Sequence, residues 1–380
     1  MIFQKEIFSF MSMDKMNQFL LVLFCLVFIL FPFKIFKPGD LQLSNYLTVL
    51  FCIFGSILYY KELVRIFTER AFLFLGLFGV WTIIVNIFYS TKYVNVEFLI
   101  DGAMYFTYFL FSAILVIVLS KYNRIYSNVF LFFSILLIIP ICIYVLFISD
   151  TSLIPKATFN NKNQLSQWCL FISVYIIFFT NKIKLNISSQ IGIAFILSIL
   201  TSLIIISITR AATGAVFILL FIAFFRLPKL IALTVLFTLL ILIVHYSLDE
   251  KSTNKTISTF EHKYIEKKNK YDTFSGRGYW RISQFPKYLL FGAGEKLHSE
   301  RFNDKYGIHS SYGNILFSYG IIGFSFLIIS YFYFFTTLRW EILLILPFFF
   351  ISLFHNTLRI PFIWMFPIFY FVDSMNKKVV

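Results

Sequence analysis

Twelve runs of apolar residues, separated by charged or turn-forming positions, make up most of the chain. Crossing about 30 Å of hydrocarbon takes about 20 helical residues, and most of the runs approach or exceed that length. Because a backbone in lipid must satisfy its own hydrogen bonds, each run is predicted to be an α-helix. The predicted spans are approximately 18–36, 43–60, 71–89, 98–119, 127–149, 165–181, 187–208, 212–226, 229–248, 312–335, 340–355 and 358–373.

The composition supports the same class of protein. Of 380 residues, 59% are hydrophobic and only 13% are charged, which excludes an ordinary soluble domain. We predict an all-α, polytopic integral membrane protein with about twelve transmembrane helices and one large periplasmic loop between helices 9 and 10. Residues 1–246 would hold helices 1–9, residues 247–311 the loop, and residues 312–380 helices 10–12 and a tail. The four cysteines lie inside apolar runs and predict no disulfide.

The basic residues indicate the orientation of the helices. With the N-terminus in the cytoplasm, the inner connections hold about twice as many Lys and Arg residues as the short outer ones. This bias predicts cytoplasmic N- and C-termini and places the loop 247–311 on the outer side. The net charge of +15 then needs no nucleic-acid partner, because the cytoplasmic connections account for part of it and the outer loop for another part.

The predicted outer loop 247–311 divides into two parts. In the stretch 256–271, Ile257, Phe260 and Tyr264 recur at helical spacing among lysines, which predicts an amphipathic helix on the membrane surface. The second part, 275–309, is rich in glycine and aromatic residues. Since loops of this length are usually functional or disordered, we treat this one as the candidate active region.

No pattern typical of a metal or nucleotide site is visible. Gly292-Ala293-Gly294-Glu295-Lys296 resembles a phosphate-binding loop only superficially, because it lacks the strand and helix that such a loop joins. No HExxH pattern or cysteine cluster suggests zinc, and no outer acidic pair has an obvious third ligand for Mg²⁺. We therefore expect no metal and no cofactor, and we expect arginine to contact any phosphate group.

Three arginines and one histidine in the outer connections are candidates for chemistry. Arginine pairs bidentately with phosphate oxygens, and Arg277 and Arg281 share one face if their stretch is helical. Arg210 and Arg281 also have plainer interpretations, the first as an arginine snorkelling to the membrane interface and the second as a solvated loop charge. His309 suits proton transfer at neutral pH, although a histidine at a membrane boundary needs no such role.

The sequence around these residues resembles that of a known protein family. His309-Ser310, nine further residues and Gly320-Ile321-Ile322-Gly323 resemble the H-[NSQ]-x9-G-x-x-[GTY] signature of the superfamily of O-antigen polymerases and O-antigen ligases. In an earlier stretch, ligases usually have a leucine four residues after an arginine, in the pattern R-x3-L. Here the fourth residue after Arg210 is Gly214, which favours a polymerase. The stretches that are similar to the family before the histidine are Phe159 to Gln164, Thr209 to Gly214, Ser275-Gly276-Arg277 with Trp280, and Leu289 to Gly294.

The resemblance implies an O-antigen polymerase, a metal-independent and inverting glycosyltransferase of lipopolysaccharide synthesis. It would join oligosaccharide repeat units carried on undecaprenyl diphosphate at the periplasmic face of the bacterial inner membrane. Donor and acceptor would both be lipid-linked glycans, and a protein that regulates chain length is a further candidate partner besides the membrane lipid. The implied catalytic residues are His309, as general base on the acceptor hydroxyl or as the residue that orients it, with Arg277 and Arg210 at the diphosphate. The implied substrate-binding residues are Arg281, Asn161, Asn163 and Tyr279.

Several alternatives stay open. Asn161 and Asn163 are equally suited to a turn that caps the next helix. Asp101 lies about one turn inside a predicted span, where an acid is a functional candidate by default unless it reaches water at the helix end. An O-antigen ligase and a lipid-linked oligosaccharide flippase remain alternatives, although no internal repeat typical of a transporter is visible. Further candidates for lining the same cavity are His245, His355 and Arg359.

Overall fold

The computed structural model describes residues 13–33, 36, 41–144, 159, 162–182, 186–248, 278–295, 308–335 and 340–376. Every regular element in these ranges is helical, as predicted. Arg277 and Asn161 lie outside the described residues. Most of the predicted loop lies outside them too, including the amphipathic stretch 256–271.

Thirteen α-helices occur in the described ranges, and each of the twelve predicted apolar runs overlaps at least one helix. In chain order they are α1 (Lys15–Leu30), α2 (Leu43–Leu58), α3 (Tyr60–Ile66), α4 (Arg70–Tyr93), α5 (Glu97–Ile143), α6 (Lys162–Thr180), α7 (Ile187–Ile206), α8 (Arg210–Phe224), α9 (Pro228–Leu248), α10 (Trp280–Gln284), α11 (Ser311–Phe334), α12 (Leu346–Ser352) and α13 (Pro361–Asn376). Short 3₁₀ helices cover Pro286–Tyr288 and Trp340–Ile345.

The lengths of these helices are those of a polytopic membrane protein. Within the described residues, six helical segments are long and apolar enough to cross a bilayer, or seven if the bent pair α2 and α3 counts as one span. The axes of α2 and α3 differ by 97°. The shorter apolar helices include α1, with 16 residues, and α8, with 15 residues. They fall short of the roughly 20 residues that a straight crossing needs.

Two predicted spans follow each other within α5, whose parts Glu97–Asn123 and Ile125–Cys142 are each long and apolar enough to cross a membrane. The runs 98–119 and 127–149 both fall on α5, whose helical geometry is interrupted at Tyr122 (φ −133°, ψ 30°). The basic residues near this position predict a connection between the two spans, and the structure has a break there without a loop. Beside the kink, the Lys121 ammonium lies 3.0 Å from the Glu62 carboxylate.

An aromatic cluster packs α13 against α1, α5 and α6. The ring of Phe362 lies 4.8 Å from that of Phe28 and 6.2 Å from that of Phe130, measured between centroids. Tyr175 on α6 contacts Phe130 and donates a hydrogen bond to the Phe362 carbonyl at 2.7 Å. Aromatic pairs of this kind add to the apolar contacts between helices. The cluster therefore holds α13 against these three helices.

Helix α11 is broken at Gly320, and the segment 289–295 fills the break. Gly320 adopts φ 68° and ψ −177°, so its neighbours cannot form the regular helical hydrogen bonds. The carbonyls of Phe317 and Ser318 instead accept the N–H groups of Ala293 and Gly294, both at 2.9 Å. The Ile321 N–H in turn donates to the Leu289 carbonyl. Broken helices at membrane depth need such replacement partners, and this exchange carries Glu295 into the protein interior.

Candidate functional site

A cavity of about 420 Å³ lies where several helix ends meet. Its lining comes from the helix ends and connections around 31–45, 101–108, 163–167, 309 and 355–360, all of which were predicted to face outward. The lining is rich in polar side chains that both donate and accept hydrogen bonds. The polar and charged lining residues are Gln42, Asn45, Asp101, Tyr105, Tyr108, Asn163, Gln164, Gln167, His309, His355, Asn356 and Arg359.

Arg359 pairs with two carboxylates at one side of this cavity. Its Nε donates to Glu295 Oε1 at 3.1 Å, and its Nη2 also contacts Glu295. The same Nη2 lies 3.6 Å from Asp101 Oδ2. The Glu295 side chain is 1% exposed, whereas that of Arg359 is 41% exposed. Part of the Arg359 side chain therefore lies at the cavity surface, and the carboxylates of Glu295 and Asp101 balance its charge.

Glu295 is held by neutral donors as well as by Arg359. Its carboxylate accepts hydrogen bonds from Asn314 Nδ2 and, at 2.7 Å, from the Tyr319 hydroxyl. Its backbone N–H donates to Asn86 Oδ1 at 3.3 Å. Burial raises the pKa of the Glu295 carboxyl, but the Arg359 charge and the hydrogen bonds outweigh burial, so the pKa lies below its usual value. Glu295 is therefore ionised at neutral pH.

The connection between α12 and α13 is tied to the start of α11. The Ser311 N–H and hydroxyl both donate to the His355 carbonyl, at 3.2 and 2.9 Å. The Thr357 N–H donates back to the Ser311 hydroxyl at 2.8 Å. His309 lies two residues before Ser311, so these bonds bring His309 and His355 to the same cavity. On the other side, the Tyr108 hydroxyl donates to the Arg359 carbonyl at 2.8 Å.

The predicted site residues fall into two groups in the described structure. His309 and Asn163 line the cavity, together with the further candidates Asp101, His355 and Arg359. The other predicted residues that the structure describes, Arg210, Tyr279 and Arg281, are not among the described lining residues. His245 is likewise absent from that lining and lies in the last turn of α9.

The residues outside the cavity lining have distinct environments. Arg281 is fully buried, which does not fit a solvated loop charge, and its guanidinium lies 5.5 Å from the Trp280 ring centre. The Tyr279 hydroxyl donates to the Leu353 carbonyl at 3.0 Å. Arg210 is exposed and is the first residue of α8. The positions of Arg210 and Arg281 in the described structure do not by themselves indicate a phosphate contact.

Asn163 links the cavity to the start of α8. It is the second residue of α6, and its Oδ1 accepts a hydrogen bond from the Thr209 hydroxyl at 3.4 Å. Thr209 in turn lies within hydrogen-bonding distance of the Ser166 and Ser207 hydroxyls. Arg210 follows Thr209 directly, so the α8 start lies next to residues that line the cavity.

A second cavity, of about 520 Å³, lies beside α4 and the segment 287–292. It is mainly apolar, with Trp81, Phe88 and Phe291 in its lining, and also includes Lys92 and Lys287. Lysines next to apolar surface are ordinary at a membrane interface.

No family model matches the chain, and no curated protein matches it. The likeness to the O-antigen polymerase and ligase superfamily thus rests on the motifs quoted above. Within the described residues, no group of three or more His, Cys, Asp and Glu side chains is arranged to hold a metal ion.

Sequence reasoning missed Glu295. It was noted only as part of a stretch that superficially resembles a phosphate loop, yet in the structure it is the buried partner of Arg359. A signal was present, because an acid in a glycine-rich stretch between apolar residues needs a partner if it is buried. The identity of that partner could not be inferred, since Arg359 is 64 positions further along the chain.

Proposed function

We propose that the protein is an O-antigen polymerase, a membrane glycosyltransferase that joins undecaprenyl-diphosphate-linked oligosaccharide units. The observation that carries this proposal is the polar cavity at the helix ends, which contains His309 from the signature motif together with Asp101, Asn163 and Arg359. Glycans bind through many hydroxyl groups, and side chains that both donate and accept hydrogen bonds suit them.

The proposed reaction is a single displacement at an anomeric carbon. The acceptor hydroxyl oxygen forms a bond to that carbon as the bond to the diphosphate oxygen breaks, and the electron pair leaves with the diphosphate. His309 takes the hydroxyl proton as general base. Arg210 and Arg277 would stabilise the negative charge that builds on the departing diphosphate. One displacement inverts the anomeric configuration, so no carboxylate nucleophile is needed.

The cavity would face the periplasm in the bacterial inner membrane. Its lining residues belong to helix ends and connections that would lie on the outer side if the basic residues mark the cytoplasmic side. The opposite helix ends include Lys121, paired with Glu62, and Lys182, which lies 2.9 Å from Asp373. We extend this arrangement to about twelve crossings with both termini in the cytoplasm and the large loop 247–311 outside.

Disruption of the gene tests the proposal through the banding pattern of lipopolysaccharide. Loss of a polymerase should leave core carrying a single repeat unit, because attachment continues while joining stops. Complete absence of attached O-antigen would identify a ligase instead, and an unchanged ladder would refute both. Transport of labelled lipid-linked glycan by the purified protein, without joining, would identify a flippase.

Restoration with variants tests the site. His309→Ala should insert normally but fail to restore the ladder, and Arg277→Ala should do the same. A matched control is His245→Ala, since His245 lies outside the described cavity lining and should restore the ladder. Full restoration by His309→Ala would remove that residue from the mechanism.

A further inference from the structure

The side chains that line the cavity suit an uncharged ligand better than an anion. Among the described lining residues, the only permanently charged pair is Asp101 and Arg359. Arg359 is already matched by Asp101 and by the buried Glu295. A carboxylate or phosphate that approached Arg359 would meet the negative charge of Asp101 at close range, and like charges repel more strongly away from bulk water.

Six amide side chains complete this lining, and several are fixed in place. Gln42 accepts a hydrogen bond from the Phe36 N–H and donates to the Phe36 carbonyl, at 3.1 and 3.3 Å. Asn45 donates to the Tyr108 hydroxyl at 3.3 Å. Fixed amides lose little conformational entropy when a ligand binds. The amides are Gln42, Asn45, Asn163, Gln164, Gln167 and Asn356.

Asn356 is held at the cavity by one hydrogen bond. Its Nδ2 donates to the Ile308 carbonyl at 3.3 Å. An amide nitrogen carries two hydrogens, so Asn356, which lines the cavity, retains a donor for a ligand oxygen.

We propose that the cavity is a subsite for an uncharged sugar residue, whose hydroxyl groups bind Asp101, Arg359 and Asn356, with Glu295 as the residue that positions Arg359. A carboxylate accepts from sugar hydroxyls, a guanidinium donates to them, and an amide does both. The inference rests on the proposed function for the identity of the glycan. The diphosphate of the donor binds outside this subsite.

Binding of phosphate-free glycan to the purified, full-length protein in detergent tests the subsite. The probe is the oligosaccharide repeat released from its lipid by mild acid, and saturation-transfer NMR measures its affinity. A matched probe is the same oligosaccharide after oxidation of its primary hydroxyls to carboxylates. We expect the neutral form to bind and the oxidised form to bind at least ten-fold more weakly. Equal or tighter binding of the oxidised form, or no binding of the neutral form, would overturn the inference.

Variants assign the contacts. Asp101→Asn and Asn356→Ala should weaken binding of the neutral probe at least ten-fold. The matched control is Glu62→Gln, which removes a carboxylate from an ion pair outside the cavity lining and should leave affinity unchanged. Wild-type affinity in both cavity variants would exclude the assigned contacts.

The role of Glu295 needs a readout that a purely structural residue would not change. Affinity is therefore measured only on Glu295→Gln protein that melts cooperatively, with Glu295→Asp as the conservative variant. We expect folded Glu295→Gln to bind at least ten-fold more weakly and Glu295→Asp to recover part of the affinity. Wild-type affinity in folded Glu295→Gln would limit Glu295 to stability. The lipopolysaccharide ladder decides the proposed function independently, because a polymerase with an acidic sugar in this cavity would pass that test and fail this one.

Discussion

Gly320 and Gly292 meet backbone to backbone, with no room for a side chain between them. A Cβ built on Gly320 would lie 2.7 Å from the Gly292 nitrogen and 2.3 Å from the Leu290 carbonyl oxygen. Both glycines have positive φ, at 68° and 100°, where residues with a Cβ are strained. This contact holds the segment 289–295 in the break of α11 and thereby places Glu295. The glycine of the signature motif thus has a structural role that is independent of any reaction.

Gly320→Ala and Gly292→Ala should each prevent stable folding. The added Cβ would meet backbone atoms in both cases, and backbone cannot rotate away as a side chain can. The measurement is the yield and melting temperature of the purified protein in detergent. Gly192→Ala is the matched control, because Gly192 lies in α7 with nothing within 4 Å of the added Cβ. In a soluble helix that change stabilises by about 0.5–1 kcal/mol, so no loss is expected. Normal melting of Gly320→Ala would contradict the close contact.

Removal of Arg359 should destabilise the protein more than removal of Lys121, because the carboxylate that loses its partner is buried in the first case and exposed in the second. Arg359→Met leaves the Glu295 carboxylate buried without its counter-charge, and such a loss costs about 3–5 kcal/mol. The double variant Glu295→Gln with Arg359→Met should recover part of this, because it removes the uncompensated charge. Denaturant or thermal unfolding in detergent measures each change.

The control for that pair is the ion pair of Lys121 and Glu62. Both side chains are 43% exposed, so breaking the pair should cost no more than about 1 kcal/mol. A comparable loss in Lys121→Met and Arg359→Met would show that burial of Glu295 does not decide the effect.

Acid should destabilise the protein partly through Glu295. The pKa of its carboxyl is raised by burial and lowered more strongly by Arg359 and its hydrogen bonds, so it lies below the unfolded value of about 4.3. The unfolded chain therefore takes up this proton first as the pH falls. The stabilisation is complete above about pH 4.3 and is lost as the pH falls through the folded pKa.

The melting temperature at descending pH checks this expectation. Glu295→Gln should start lower at pH 7 and decline less steeply in acid than the wild type. Glu62→Gln should change the slope less than Glu295→Gln, because Lys121 lowers the pKa of the Glu62 carboxyl only within an exposed, solvent-screened pair. An identical acid slope in Glu295→Gln and wild type would show that Glu295 does not contribute to the transition.

The pattern of apolar runs was enough to predict an all-helical membrane protein, because lipid permits few other backbones. It was not enough to separate a loop from a kink. Near Tyr122 the basic residues resemble a connection, yet α5 continues through them. Polarity of the residues sets which positions meet water, whereas the backbone path depends on packing against neighbouring helices. Local sequence does not contain that packing.

The candidate site shows the same division. Asp101 was recognisable because an acid inside a membrane span is rare, and His309 because it begins the signature motif, whereas Arg359 was only one of several outer residues that could line the cavity. That Glu295 pairs with Arg359 depends on the fold of the segment 289–295 into α11, a contact between distant parts of the chain. Most of the cavity amides were missed for a different reason. Glutamines such as Gln42 and Gln167 are common residues, and they indicate a binding site only once the fold brings them together in one cavity.

Labelling of introduced cysteines should establish the orientation of α4. Val94 follows its last residue and is 92% exposed, and Glu69 precedes its first residue and is also exposed. Basic residues gather near Glu69, which places that end in the cytoplasm. A membrane-impermeant maleimide should therefore label Val94→Cys in intact spheroplasts and Glu69→Cys only after lysis. The unsubstituted chain is the control, because Cys52 and Cys169 are buried and Cys25 and Cys142 are partly buried. The reverse pattern would invert the orientation and put the cavity on the cytoplasmic side, which would contradict a periplasmic site. Labelling of both variants before lysis would show that α4 does not cross the membrane.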